Sequence, residues 1–580
     1  MKADLLLQGA QVFDSAFRCF RTASVAILDG RILYAGTDEE VLNQIEPQEV
    51  ADLSGRWIVP GLIDIHMHIE SSMVTPPAFL KAVLQHGTST CIAEPHEIAN
   101  VFGTEGIEEF IRLAPADDPE RAEVFFGAPS SVPSTDLEDA GAAVTPEDIS
   151  SVMKNPRVRC LGEVMDCRTV ISDPQSRAAR VVKAAEASRA VPIIEGHVPA
   201  FLGLDLARIL YAGIDSDHCE QTPERMRQRF EMGMFVEVQL KSVTQENIAY
   251  LAAHPELTGL WSFVTDDVMA DQLQHDHLAG VVRQAISYGL DPVFAIIAVT
   301  SSPAARMDLR DRGRIAPGRL ADLVVLDSLE GFHVASVMHR GCWVDRDSAD
   351  TSSRHDFPER YYESIHLAPR TLDDFVLSAP EGAGAAVRVH TMEIQERSTF
   401  TPDRIRELPV EEGHIAWKRP GDLALARVFE RHHHLGLSGT ALLSGACLKE
   451  GAVASTWVHD HHNLLVVGVD EEDMVLAANT VIARQGGLVV VRGGKIVAEM
   501  PLPVAGILTE DPLPLAAERL AAVTRALKDQ GWGNSNPVMS LCTIALPVSP
   551  ALKVTDRGLV DVRQAKLVDL VLPKEDEARG

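Results

Sequence analysis

From Gly61 to about Arg312 the chain alternates short apolar, β-rich runs with stretches whose apolar residues recur every three to four positions. The runs are GLIDIHMH, TSTCIAE, EVFFGAP, VRCLGEVM, VPIIEGH, GIDSDH, MFVEVQL and LWSFVTDD. Between them lie PPAFLKAVLQHG, DPQSRAARVVKAAEASRA, GLDLARILYAG and HLAGVVRQAISYG, several opening on Pro or Asp or closing on Gly, as helices do. Parallel strands cannot be joined by hairpins, and a helical crossover is the usual connection. Eight strands alternating with helices over about 250 residues therefore predict an α/β fold of the (β/α)8 TIM-barrel type.

The flanks read differently. DLLLQGAQVF and ASVAILDGRILYAG are β-rich, with Asp29-Gly30 as a hairpin turn. GRIAPGRLADLVVLD and VASVMHRGCWV resume that texture after the barrel. Residues 1–60 and 313–347 are thus expected to form one small β domain, interrupted by the barrel at 61–312. A charged, loop-like segment, DRDSADTSSRHDFPERYYES, leads into a mixed α+β domain over 348–580. There LLVVGVD and GLVVVRGGKIVAEM read as strands and PLAAERLAAVTRALKDQG as a helix.

Composition excludes several classes. A net charge of -30 repels phosphate, which argues against nucleic-acid and anionic-membrane partners. No apolar run reaches the roughly 20 residues that span a bilayer, and the start lacks the apolar core of a signal peptide. The eight cysteines are scattered without a C-x-x-C pair, as expected of reduced thiols in the cytoplasm.

Ligand-type side chains sit at the ends of the barrel runs: His66 and His68 on the first, Glu163 on the fourth, His197 on the fifth, His218 on the sixth and Asp266 on the eighth. The carboxyl ends of barrel strands are where active sites are built. Residues two apart on a strand share a side, so His66 and His68 point together. Nitrogen and carboxylate donors of this kind suit Zn, Mn or Fe. A single such histidine is more often a satisfied core or surface residue; the joint placement carries the metal reading.

The opening VPGLIDIHMHIESSMVTP resembles the metal-binding start of the amidohydrolase superfamily. More narrowly, IESSMVTP, EPHEIANVFG, GEVM, GHVP, VTDD and GRIAPGRLADLVVLD are similar to blocks of the bacterial adenine deaminases. The similarity continues through ASTWVHDHHNLLVVGVDEEDM, PLPVAGIL and LPVSPALKVTDRGL, and so covers nearly the whole chain. It implies two divalent metal ions, Mn first and Fe or Zn also, with His66, His68 and Asp266 on one, His197 and His218 on the other, and Glu163 bridging. It implies attack of metal-activated hydroxide on C6 of a purine, a homo-oligomer (a dimer), and Asp266, Glu97, His96 and His218 as catalytic residues. Asp266 would shuttle the proton, a protonated Glu97 would serve the ring N1, and His96 would be a polariser or a further ligand. For His96-Glu97 a hydrogen-bonded pair at a helix start is an equal alternative.

The chain departs from the family pattern at Glu94 and Glu195, where Asp is usual, at Val236 and Val238 within a run usually Arg-Glu-Gly-Ser, and at Val268, where a basic residue is common. These departures put substrate contacts in question and leave open an N6-substituted adenine, another aminopurine or a cyclic amide as substrate; a non-catalytic purine-binding homologue is the reading from another class. His459-Asp460-His461-His462-Asn463 reads as a turn with a structural or pocket-closing role, and His432-His433-His434 as a polar loop.

Overall fold

The structure is a computed structural model describing residues 1–188, 192–199, 201–346, 348 and 357–573. The chain divides into two compact units: residues 1–95, 108–130 and 145–353, and residues 96–107, 131–144 and 354–580. Much of the charged segment between them, at 347 and 349–356, lies outside the described residues, as do Val191 and the last two residues of DPQSRAARVVKAAEASRA.

In the first unit the eight runs are all strands. Leu62–His68, Thr88–Ala93, Glu123–Ala128, Val158–Val164 and Ile194–Gly196 pair in parallel, in chain order. Ser216–Asp217, Phe235–Val238 and Trp261–Phe263 form the rest of the wall. The eighth strand is split: Trp261–Phe263 pairs with the seventh, and Asp266–Asp267 pairs with the first, at Met67 and His68. Between the fifth and sixth strands Asp215 N donates to Ile194 O at 3.3 Å, so the parallel wall curls through all eight. This is the (β/α)8 architecture the alternation predicts.

Helices cover the wall because their apolar faces match its outward side chains. Val236, Val238, Trp261 and Phe263 pack in one buried cluster with Ile248, Leu251, Leu278 and Val282 from the helices Gln245–Ala253 and Leu278–Ser287. Local signals set the helix starts. Thr222 accepts from Arg225 N ahead of Pro223, and Thr244 accepts from Asn247 N. No described helix is long and apolar enough to cross a membrane.

The two β-rich flanks meet in one eight-stranded sheet, where Leu323–Leu326 runs antiparallel to Trp57–Pro60. Asp29 and Gly30 both have positive φ, 50° and 72°, as a tight hairpin turn requires.

The second unit carries a nine-stranded sheet. The helix Glu471–Ala483 buries Met474, Ala477, Ala478 and Val481 in one cluster with sheet residues Ala452, Leu464, Val466 and Val489. Its composition differs from the sequence expectation in one respect. Residues 96–107 and 131–144, read as barrel from their position in the chain, belong to this unit. Their backbone hydrogen bonds explain why: Asn463 Nδ2 donates to Asp139 O at 2.8 Å, Thr555 Oγ1 to Leu137 O at 2.6 Å and Tyr361 OH to Glu105 O at 3.2 Å.

Candidate active site

The six ligand-type residues of the barrel strands converge. Glu163 Oε2 lies 3.0 Å from His197 Nδ1 and 3.1 Å from His218 Nε2, and those two nitrogens are 3.1 Å apart. The other carboxylate oxygen, Oε1, is 3.6 Å from His68 Nε2. Asp266 Oδ1 is 3.7 Å from His66 Nε2 and 3.5 Å from His68 Nε2. Adjacent donors on one cation with bonds of about 2.1 Å stand roughly 3.0–3.4 Å apart. The distances around Glu163 Oε2 fall in that range, and those around His66, His68 and Asp266 are a few tenths of an ångström longer. His66 Nε2 is buried without a hydrogen-bond partner, as a nitrogen kept for a cation would be.

Supporting contacts fix these donors. His68 Nδ1 is 3.1 Å from Glu94 O, so this nitrogen donates to the carbonyl and fixes the ring with Nε2 toward Glu163 and Asp266. Glu94 Oε2 accepts from Glu163 N at 2.6 Å. That carboxylate fills the space beside Gly162, where an added Cβ would stand 2.4 Å from its carbon. Asp64 accepts from Thr265 Oγ1 at 2.6 Å and from His66 N at 3.3 Å, tying the first strand to the eighth. Asp266 itself has a left-handed backbone, φ 60°, a conformation costly for most side chains and frequent at functional sites.

The electrostatics favour cations. Burial would raise the carboxyls of Glu163 and Asp266, yet the surrounding imidazoles, and Lys241 for Asp266, hold both well below the usual carboxylate range. Burial, with the nearby His218, pushes His66 down to about 4, leaving it neutral. Burial opposes charge on His218 as well, but Glu163 carries it up to about 9.

Several contributors were not singled out in the sequence. Asp217 holds the loops that carry His197 and His218: Oδ1 accepts from Val198 N at 2.9 Å and from Cys219 N at 3.1 Å. Its Oδ2 accepts from Arg229 Nε at 2.6 Å, with both side chains wholly buried. Glu237 is buried with His66 and His218 in donor range. Burial and the neighbouring Glu195 push Glu237 well up, while Arg306, 2.9 Å from Glu195, keeps Glu195 ionised against its own burial. Strand periodicity settles the valines: Val236 and Val238 pack into the helix-facing cluster, opposite Glu237. Those two departures fall in the packing layer.

His96 and Glu97 belong to the second unit. They meet His459, Asp460 and His462, all buried. Although burial opposes ionisation, His459 and His462 hold Glu97 well below the usual carboxylate range. The His459–Asn463 turn is fully buried, and His432, read as part of a polar loop, is buried as well, with Nε2 2.8 Å from His461 O.

Replacing Glu163 by Gln is expected to lower turnover about 10-fold or more, with loss of bound metal. An amide is a weaker donor than a carboxylate and carries no charge to offset a cation. Elemental analysis beside steady-state rates checks this; unchanged metal content and rate would show that Glu163 is not a ligand.

A curled parallel wall with imidazole and carboxylate donors at its carboxyl ends is the arrangement of the amidohydrolases, and residues 57–192 match the amidohydrolase family. Residues 398–566 match the adenine deaminase C-terminal domain. Over 98% of its length the chain is 39% identical to an adenine deaminase of Clostridium perfringens, all of which is covered. It is 42% identical over 98% of its length to adenine deaminase 2 of Shouchella clausii, of which 99% is covered. With adenine deaminase 2 of Oenococcus oeni it shares 38% over 99% of its length and the whole of that protein. The chain belongs to the adenine deaminase family.

Proposed function

We propose that this chain hydrolyses adenine to hypoxanthine and ammonia at the carboxyl end of its barrel. The observation that carries the reading is Glu163, set with one oxygen toward His197 and His218 and the other toward His68, in a chain aligned end to end with adenine deaminases. His66, His68 and Asp266 would hold one divalent cation, His197 and His218 the second, and Glu163 would reach both. The donors suit Mn, and serve Fe or Zn as well. Bound there, such cations supply water acidic enough to ionise near neutral pH.

The chain's own residues do the rest. Asp266 is held as a carboxylate, able to take the proton released as water adds to C6 and to return it to the departing amine. The C6–N bond breaks as the C6–O bond is completed, and the proton leaves with ammonia. His68, fixed through Nδ1 by Glu94 O, and Asp266, fixed by its backbone, keep the donors from turning away.

Ammonia release by Mn-loaded protein from adenine, an N6-alkyladenine, guanine and a cyclic amide tests the reading. Adenine is expected to give the highest kcat/KM. A preference for the N6-alkyl purine or the cyclic amide would reassign the substrate, and binding of purines without turnover would overturn the reaction.

A further inference from the structure

We propose that His96, Glu97, His459 and Asp460 hold one divalent cation of the zinc class within the second unit, in addition to those held by the barrel donors. One donor atom from each residue lies within 4.8 Å of the other three. His96 Nε2 is 3.6 Å from Glu97 Oε1 and 3.6 Å from Asp460 Oδ1, and His459 Nδ1 is 3.4 Å from Asp460 Oδ1. Ligands of a tetrahedral zinc, with bonds of about 2.0–2.1 Å, stand roughly 3.3–3.4 Å apart. Three of the recorded edges are thus within a few tenths of an ångström of that geometry. The fourth, His459 Nδ1 to Glu97 Oε1 at 2.5 Å, is shorter than a ligand edge and would open as a cation entered between the two atoms.

Burial and charge supply the reason for a cation. All four side chains are buried; the two oxygens of Glu97 lie against His459 Nδ1 and His462 Nε2, and Oδ2 of Asp460 is buried without a hydrogen-bond partner. Two carboxylates out of water are costly unless their charge is compensated. One divalent ion neutralises both while the imidazoles stay uncharged, and two nitrogens with two carboxylate oxygens are a donor set that zinc accepts. Behind them His462 Nε2 touches Glu97 Oε2, and His462 Nδ1 accepts from Val458 N at 3.3 Å. The Nε2 proton is therefore directed at the outer carboxylate oxygen, which leaves Oε1 for the cation. The ion would fasten the start of the helix His96–Leu113 to the turn at His459, a structural task.

Chelator-treated protein titrated with Co2+ and freed of excess by gel filtration tests the site. Three forms are compared: the wild type, His459→Ala/Asp460→Asn, and a barrel variant, His66→Ala/His68→Ala/His218→Ala. The barrel variant is expected to retain one tightly held Co2+ per chain, with the intense visible bands of a four-coordinate ion. The His459→Ala/Asp460→Asn form is expected to hold one ion fewer than the wild type. A barrel variant that retains no Co2+, or a double variant that holds as much as the wild type, would overturn the proposal. Should the double variant fail to fold by far-UV circular dichroism, the barrel variant decides alone, and Asp460→Asn placed on it should weaken Co2+ at least about 10-fold. Since the barrel variant lacks donors of the proposed active site, its result is independent of whether the chain deaminates adenine.

Discussion

Asp266→Asn is expected to fold as the wild type does and to turn over adenine about 100-fold more slowly or worse, the usual scale for losing an acid–base group. The replacement has the same shape, and Asn tolerates the left-handed backbone at this position better than most residues. What disappears is the carboxylate facing His66 and His68, held ionised although it is buried. An amide cannot accept a proton at neutral pH, so neither half of the transfer from water to leaving amine remains. Asp266 is also a candidate ligand, and the two roles separate experimentally. Turnover restored by excess Mn points to a ligand defect; turnover that stays low at saturating Mn points to proton transfer. Full activity at every metal concentration would deny Asp266 both roles.

The second large effect concerns stability. Asp217→Ala is expected to destabilise the first unit by about 3–5 kcal/mol, because it leaves the Arg229 guanidinium buried without its counter-charge. It also removes the acceptor of Val198 N and Cys219 N, the residues that follow His197 and His218. Urea unfolding midpoints at constant slope would measure the loss. Asp217→Ala/Arg229→Met should recover part of it, since a buried pair replaced by apolar groups costs less than one partner stranded. A loss below about 1 kcal/mol, the range of an ordinary substitution, would show that the pair does not organise these loops.

The convergence of the six barrel side chains was legible in the sequence because strand periodicity and strand ends are local properties: His66 and His68 share a side, and each of the others closes a β-rich run. Local reading also had what it needed at the seventh strand. Val236 and Val238 flank Glu237, so only one parity can face the centre; treating the whole run as substrate contact obscured that. Other features were beyond local reading. Nothing near Glu97 announces that its carboxylate will be met by His459 and His462, and nothing near Asp217 announces Arg229 as its partner. Buried charges are satisfied by whatever the tertiary fold delivers, which leaves no periodic trace. The split of the eighth strand, too, follows from Asp64 capturing Thr265 across the wall rather than from its own composition.

The inclusion of residues 96–107 and 131–144 in the second unit bears on how the chain is made. Synthesis delivers them early, but Asn463, Thr555 and Tyr361, which bond their backbone, emerge much later. Until then the carbonyls of Glu105, Leu137 and Asp139 lack these donors, an interval in which a nascent chain is prone to aggregate or to recruit chaperones. A stop codon placed after the small β domain would prolong that interval indefinitely, so a truncated barrel should accumulate as inclusion bodies even though its strands are all present.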